Sequence, residues 1–319
     1  DHPALLSWYL CDEPIGQNIS KNDLLDEYEL IKKLDPYHPV TIVFMTPSEA
    51  EIYKDLMDIV MADPYPIPNK TVLEVADVCF DLETDFRFKM PYWIVPQTFG
   101  GNEWWRREPV AEELRAMVYL SILHGATGSQ AFIRHGHNGF PKSLSLWEEY
   151  GKIAREIREL TPFLLKGNRD NQIANIDHSL FTRTWELDRQ QLIIVINSEN
   201  EFKNIVYENS HIIPSEGTVK VLFENRNISI ENHRIKDIIE PFGRKVYLIE
   251  ENHKENNDNK NNNRRFNLQI NPSFEKYYSA GVPFGCYVSV QGDRGAGYYV
   301  DPLESFHGKH SLKLMTPTD

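Results

Sequence analysis

The sequence predicts an α/β architecture of the (β/α)8-barrel type in its first half, then an antiparallel β-sandwich, then a shorter β-rich segment. Three observations lead there. Apolar strand-like runs alternate with amphipathic helical stretches over residues 1–166, as a parallel sheet with helical crossovers demands. The strand ends fall near residues 13, 45, 63, 97 and 134, and steps of 18 to 37 residues suit the β-α repeats of a barrel. Beyond residue 166 the sequence turns to short β runs parted by turn residues.

The elements follow in order. Residues 4–10 are an apolar run that ends in Asp12-Glu13-Pro14. A helix over residues 23–34 places Leu24, Leu25, Tyr28, Ile31 and Leu34 on one stripe. Residues 39–45 read as a strand, and 48–56 as a short helix with Ser48 as its N-cap. A strand at 58–62 is closed by Asp63-Pro64-Tyr65-Pro66. After a longer segment with no assigned element comes a strand at 92–95, ending in Pro96-Gln97-Thr98-Phe99-Gly100-Gly101. Pro109 suits the first turn of a helix over 109–124, and Gly125 its stop. A fifth strand at 129–133 and a long amphipathic helix at 146–165, closed by Gly167, complete this half.

Runs at 179–185, 191–195, 219–222 and 246–249 carry the sandwich of residues 167–250. Residues 251–265, rich in Asn and charge, are too polar to bury a core and read as a disordered linker. Residues 266–319 return to aromatic, β-rich sequence, too short for most complete sandwiches.

Composition narrows the partners. Hydrophobic residues at 41% mark a globular chain, and 47 acidic against 34 basic residues give a net charge of -13 that disfavours a nucleic-acid partner. No apolar run approaches the roughly 20 residues of a membrane span, so no membrane partner is expected. Cys11, Cys79 and Cys286 have no metal-ligand spacing and cannot build a disulfide framework; no metal or cofactor is expected. Sequons at Asn18, Asn69 and Asn227 point to the secretory pathway or the extracellular space. Asp1 directly precedes a strand-like run and the chain stops soon after another, so both ends read as cut.

Trp8-Tyr9-Leu10-Cys11-Asp12-Glu13-Pro14 at a strand end resembles the Asn-Glu-Pro that ends strand four of clan-A-like glycoside hydrolases, whose Glu is the acid/base. Asp63-Pro64-Tyr65-Pro66, and Arg115-Ala116-Met117 with His124-Gly125-Ala126, are similar to later parts of that barrel. Asn271-Pro272-Ser273-Phe274-Glu275 and Gly308-Lys309-His310-Ser311-Leu312 resemble the start of a galactose-binding-like, jelly-roll carbohydrate module. The resemblance implies barrel strands four to eight in residues 1–166, with the N-terminal half of the barrel upstream and a carbohydrate substrate. Two positions depart from it. Asp12 stands for the Asn, and Gln97 ends the strand that in the clan ends in the nucleophilic Glu; an amide cannot attack an anomeric carbon.

Glycosidic cleavage needs a protonated carboxyl at the leaving oxygen and a second carboxylate. Glu13 is the candidate acid, with Trp8 and Tyr9 as an apolar wall able to raise its pKa. Asp63, at another strand end, is the second candidate, across a gap wide enough for a water; it competes with an Asx-turn role before Pro64. Glu103 and Asp12 are the alternatives. Trp104 and Trp105, after a Gly100-Gly101 hinge, suit a sugar-stacking platform or a packed rim, and Arg106-Arg107 an acidic sugar or a solvated rim. Tyr65 and Gln97 are strand-end groups able to hold hydroxyls or orient a carboxylate; Arg134, His135 and His137 suit sugar or carboxylate contacts or a hydrogen-bonding rim, and His135-x-His137 has a metal-ligand spacing but no convincing third ligand. Three functions remain: a glycoside hydrolase, a carbohydrate-binding relative without the nucleophile, and an enzyme of phosphorylated metabolites. The last is disfavoured because no Gly-rich phosphate loop occurs.

Overall fold

The computed structural model describes residues 5–86, 90–101, 104–132, 143–170, 173–250, 297–301 and 311–315. They belong to two compact units. The larger holds residues 9–30 and 40–250, and the smaller holds 5–8, 31–39 and the two C-terminal segments.

A five-stranded sheet, in order β1-β2-β3-β4-β5, is formed by Trp8–Asp12 (β1), Val40–Phe44 (β2), Ile59–Ala62 (β3), Tyr92–Ile94 (β4) and Gly128–Ser129 (β5). β2, β3, β4 and β5 pair parallel. Glu13 N–H bonds Val43 O at 3.0 Å where β1 meets the end of β2. Strand alternation sorts the side chains. Ile42, Phe44, Val60, Ala62 and Ile94 pack toward the helices, while Val43, Met61 and Val95 form a second, smaller cluster with Tyr65, Trp93 and Phe132.

Between the strands lie Lys21–Leu34 (α1), Ala50–Tyr53 (α2), Leu73–Phe86 (α3) and Ala111–His124 (α4), followed by Leu144–Lys166 (α5). Helix α4 is buried almost all round, as its nearly unbroken apolar sequence requires. It ends at Gly125, whose φ of 106° is the left-handed stop expected there. The expected stripe of α1 is only partly used. Leu24 is buried but Leu25 and Leu34 are exposed, because α1 follows β1, the edge of the sheet. The 48–56 helix breaks into α2 flanked by 3-10 turns. Helix α3 fills the segment that had no assigned element; Val75, Val78, Cys79, Leu82 and Phe86 are buried at helical spacing.

The second half forms one nine-stranded, mainly antiparallel sheet. Its strands are Asn168–Arg169 (β6), Ala174–Asn175 (β7), Leu180–Leu187 (β8), Gln190–Asn197 (β9), Lys203–Glu208 (β10), Glu216–Val221 (β11), Arg226–Glu231 (β12), Arg234–Ile239 (β13) and Arg244–Glu250 (β14). Two separate sheets were expected, whereas hydrogen bonding runs unbroken along β10-β13-β12-β11-β14-β9-β8-β6. Ile193, Val195, Val219, Ile230, Ile235 and Tyr247 from five of these strands fill a core of the sheet's own. Leu192, Ile194 and Ile196 of β9 point the other way, into the core shared with α4. The continuous apolar run of β9 is thus explained by burial on both faces.

In the smaller unit, Asp35 accepts bonds from Trp8 Nε1 (3.1 Å), from His38 Nδ1 (2.7 Å) and from two backbone N–H groups. Gly297–Asp301 (β15) and Ser311–Met315 (β16) pair as an antiparallel ladder. The expected linker, Cys286, and the Asn271–Glu275 motif of the jelly-roll module lie outside the described residues.

Candidate active site

Glu13 directly follows β1 and has a φ of 42°, a left-handed conformation that costs an ordinary side chain about 1–2 kcal/mol. The turn breaks strand alternation at this point and brings the half-buried Glu13 carboxyl within hydrogen-bonding reach of Asp63, which directly follows β3. The wide, water-filled gap expected between them is therefore replaced by contact. Asp63 is only 5% exposed, and its Oδ1 has no hydrogen-bond donor among the described residues.

Burial, and then the Glu13 carboxyl, push the Asp63 pKa up to about 8, against a smaller downward pull from the Tyr65 hydroxyl. Asp12, exposed, adds a small upward push on Asp63 and accepts a 2.8 Å bond from Tyr9 Oη. Burial holds the hydroxyls of Tyr65 and Tyr9 far above their ordinary range, so both remain donors at any working pH.

Asp63 makes stability depend on pH. Its carboxyl binds a proton more tightly folded than unfolded, where the value is about 3.9. The associated stability is fully present below about pH 4 and is lost as pH rises through about 8, at up to roughly 1.4 kcal/mol per pH unit. Urea titrations across that window are expected to show the loss, and Asp63→Asn to flatten it. Parallel curves for the two proteins would contradict the assignment.

Gln97 is fully buried and serves the scaffold. Its Oε1 accepts from Ile67 N–H at 2.9 Å, and its Nε2 donates to Ile67 O at 2.8 Å and Phe99 O at 3.1 Å. Its amide thus clamps the loop after β3 to the loop after β4, leaving no group for a sugar hydroxyl as had been expected. Under the site, Tyr65, Phe99, Trp105 and Phe132 pack ring against ring at 4.9–6.0 Å between centroids. Trp105 Nε1 donates to Tyr65 O at 3.0 Å, so this tryptophan is half-buried in the floor, while Trp104 is 69% exposed.

The Gly100-Gly101 pair is a close-packed turn. A Cβ on Gly100 would lie 2.1 Å from the Arg107 and Glu108 backbone, and Gly101 N–H bonds Trp105 O at 2.6 Å. Arg107 is held bidentately by the buried Glu113, at 2.7 and 2.8 Å. Glu103, Arg134, His135 and His137 lie outside the described residues. Tyr9 as a partner of Asp12, and Phe99 and Phe132 as floor, were not singled out from the sequence. Their one signal was position, since Phe99 follows one predicted strand end and Phe132 lies within another predicted strand just before its end.

No family model and no curated protein sequence matches the chain. Solved structures do match. A glycosyl hydrolase, the alpha-amylase of Anoxybacillus, aligns at a TM-score of 0.50 and 11% identity over 73% of this chain and 56% of its own. A GH30 endoxylanase from Clostridium papyrosolvens C71 aligns at 0.47 and 13% over 76% and 65%, and alpha-galactosidase I from Mortierella vinacea at 0.47 and 11% over 76% and 67%. What is shared with the amylase is the fold. The chain spans 56% to 65% of the lengths of the first two.

Proposed function

We propose that this chain carries the active site of a glycoside hydrolase acting on an oligo- or polysaccharide. The observation that supports this most is the meeting of Glu13 and Asp63 at the C-terminal ends of parallel strands, where α/β barrels hold their chemistry. The fold shared with the Anoxybacillus amylase is in keeping with it. Glu13 is the general acid/base, half-buried and held at a fixed angle by its left-handed backbone. The exposed face of Trp104, the Asp12 carboxylate and the Tyr65 hydroxyl offer stacking and hydrogen bonds to a sugar.

In this reading the five parallel strands are strands four to eight of a barrel whose first three come from a preceding segment. The C-terminal β segment starts a galactose-binding-like module, and the parent protein is secreted.

A second reading, a carbohydrate-binding relative without turnover, is favoured by Gln97. The amide at the position of the nucleophile is wholly engaged by backbone. A glycan panel separates the two, assayed on the chain and on any longer natural polypeptide that contains it. Glu13→Gln is expected to lower hydrolysis roughly 10²–10⁴-fold while saccharide binding persists. Equal turnover would remove Glu13 as the acid; binding without turnover by either form would favour the second reading.

A further inference from the structure

We infer that Glu13 and Asp63 hold a single proton between them, and that Asp63 is the positioning residue that keeps this proton beside Glu13. The part the proton plays in turnover rests on the glycosidase reading; its presence does not.

One hydrogen bond in the pair is unmet. Asp63 Oδ1 is buried with no donor among the described residues, although such atoms in folded proteins almost always have one. Its carboxyl neighbour, Glu13, is an acceptor as well when ionised. A proton on the pair supplies the donor that Asp63 Oδ1 lacks. Two adjacent negative charges in so enclosed a place cannot both persist, whereas one shared proton leaves a single charge. The groups that face Asp63 agree in sign. Glu13, Asp12 and Tyr9 come from the β1 end and Tyr65 from its own loop, and among the described residues none of these brings a positive charge.

The contact is also too close for the usual division of labour. Carboxyls that flank a scissile bond stand about 5–5.5 Å apart in retaining enzymes and roughly 6.5–9.5 Å apart in inverting ones. Groups within hydrogen-bonding reach serve each other. The proton passes from Glu13 to the leaving oxygen as the glycosidic C–O bond breaks with its electron pair on that oxygen. The attacking water gives its hydroxyl to the anomeric carbon and its proton back to the pair, so the pair is regenerated with no net gain or loss.

Carboxyl carbon NMR on the full chain, made with [13C]Asp, tests this without any substrate. One aspartate signal, identified by its loss in Asp63→Asn, is expected to keep the shift of the acid form at about pH 6 and to ionise near neutrality or above, well past the ordinary value of about 3.9. In Glu13→Gln its midpoint is expected to fall by more than about one pH unit, since the neighbouring charge is gone. An Asp63 signal already ionised at pH 6, or a midpoint that Glu13→Gln leaves in place, overturns the proposal. If neither the chain nor a longer natural polypeptide that contains it hydrolyses a glycan, yet the chain shows the late titration, the shared proton stands and the glycosidase reading falls. If it does hydrolyse glycans, Asp63→Asn is expected to move the alkaline limb of its pH-rate profile to lower pH.

Discussion

Gln97→Glu, the substitution that writes a carboxylate back where the resemblance puts a nucleophile, is expected to destabilise the protein by roughly 3–5 kcal/mol and to confer no turnover. The amide uses both of its functions. Its carbonyl takes Ile67 N–H, and its NH2 reaches the carbonyl oxygens of Ile67 and Phe99. A glutamate at that place keeps the acceptor and sets a negative oxygen against two carbonyls, with no water to solvate it. Burial would raise its pKa, so the cost grows as pH rises. The damage would reach Tyr65, because the clamp ties together the loops that carry Tyr65 and Phe99. Gln97→Met, which loses the bonds without adding charge, is expected to cost less. Urea unfolding of both variants at about pH 7 measures the difference. A stable Gln97→Glu protein with increased glycan hydrolysis would show that Gln97 occupies a vacated catalytic position after all.

How much of this was legible in the sequence depended on which signal each residue carried. Strands β2, β3 and β4 were legible because apolar runs stop at Asp, Pro or Gln. The helix α4 was legible because Pro109 and Gly125 bracket an apolar stretch. Helix α3 carried an equally readable pattern, with Val75, Val78, Cys79, Leu82 and Phe86 on one side, diluted by its five acidic residues. The β12-β13 hairpin was missed because Asn232-His233, both at positive φ, makes its two-residue turn without the glycine that usually marks one. Strand ends located Glu13 and Asp63 separately. Their contact depends on the positive φ of Glu13, a backbone choice that no residue type announces. The role of Gln97 was hidden for a related reason, since its partners are main-chain atoms, two of them on Ile67, 30 residues away.

The second large effect lies far from the acidic pair. Arg244→Met is expected to cost about 3 kcal/mol, the lower end of what breaking a buried ion pair costs, because a second arginine remains. Glu156 of α5 is the hub. Arg244 of β14 meets it through Nη2 at 2.8 Å and Nε at 3.2 Å, Arg115 of α4 at 2.5 Å, and the Tyr119 hydroxyl at 2.6 Å. Burial pushes the Glu156 carboxyl up, yet Arg244, Tyr119 and Arg115 together hold it below its ordinary value. Removal of Arg244 takes away the largest of those supports and the stacking of its guanidinium 4.9 Å over Phe223. Replacing Glu156 by Leu in the same protein is expected to recover part of the loss, since an apolar pair of similar volume can stand in for a buried ion pair. Three elements, α4, α5 and β14, are bolted together by these atoms, so the antiparallel sheet should loosen before the parallel one. None of the atoms touches Glu13 or Asp63, and saccharide binding by folded Arg244→Met is expected to match the wild type. Thermal unfolding gives the first number and glycan titration at a temperature well below it gives the second. A loss under about 1 kcal/mol would place this cluster among the ordinary surface pairs.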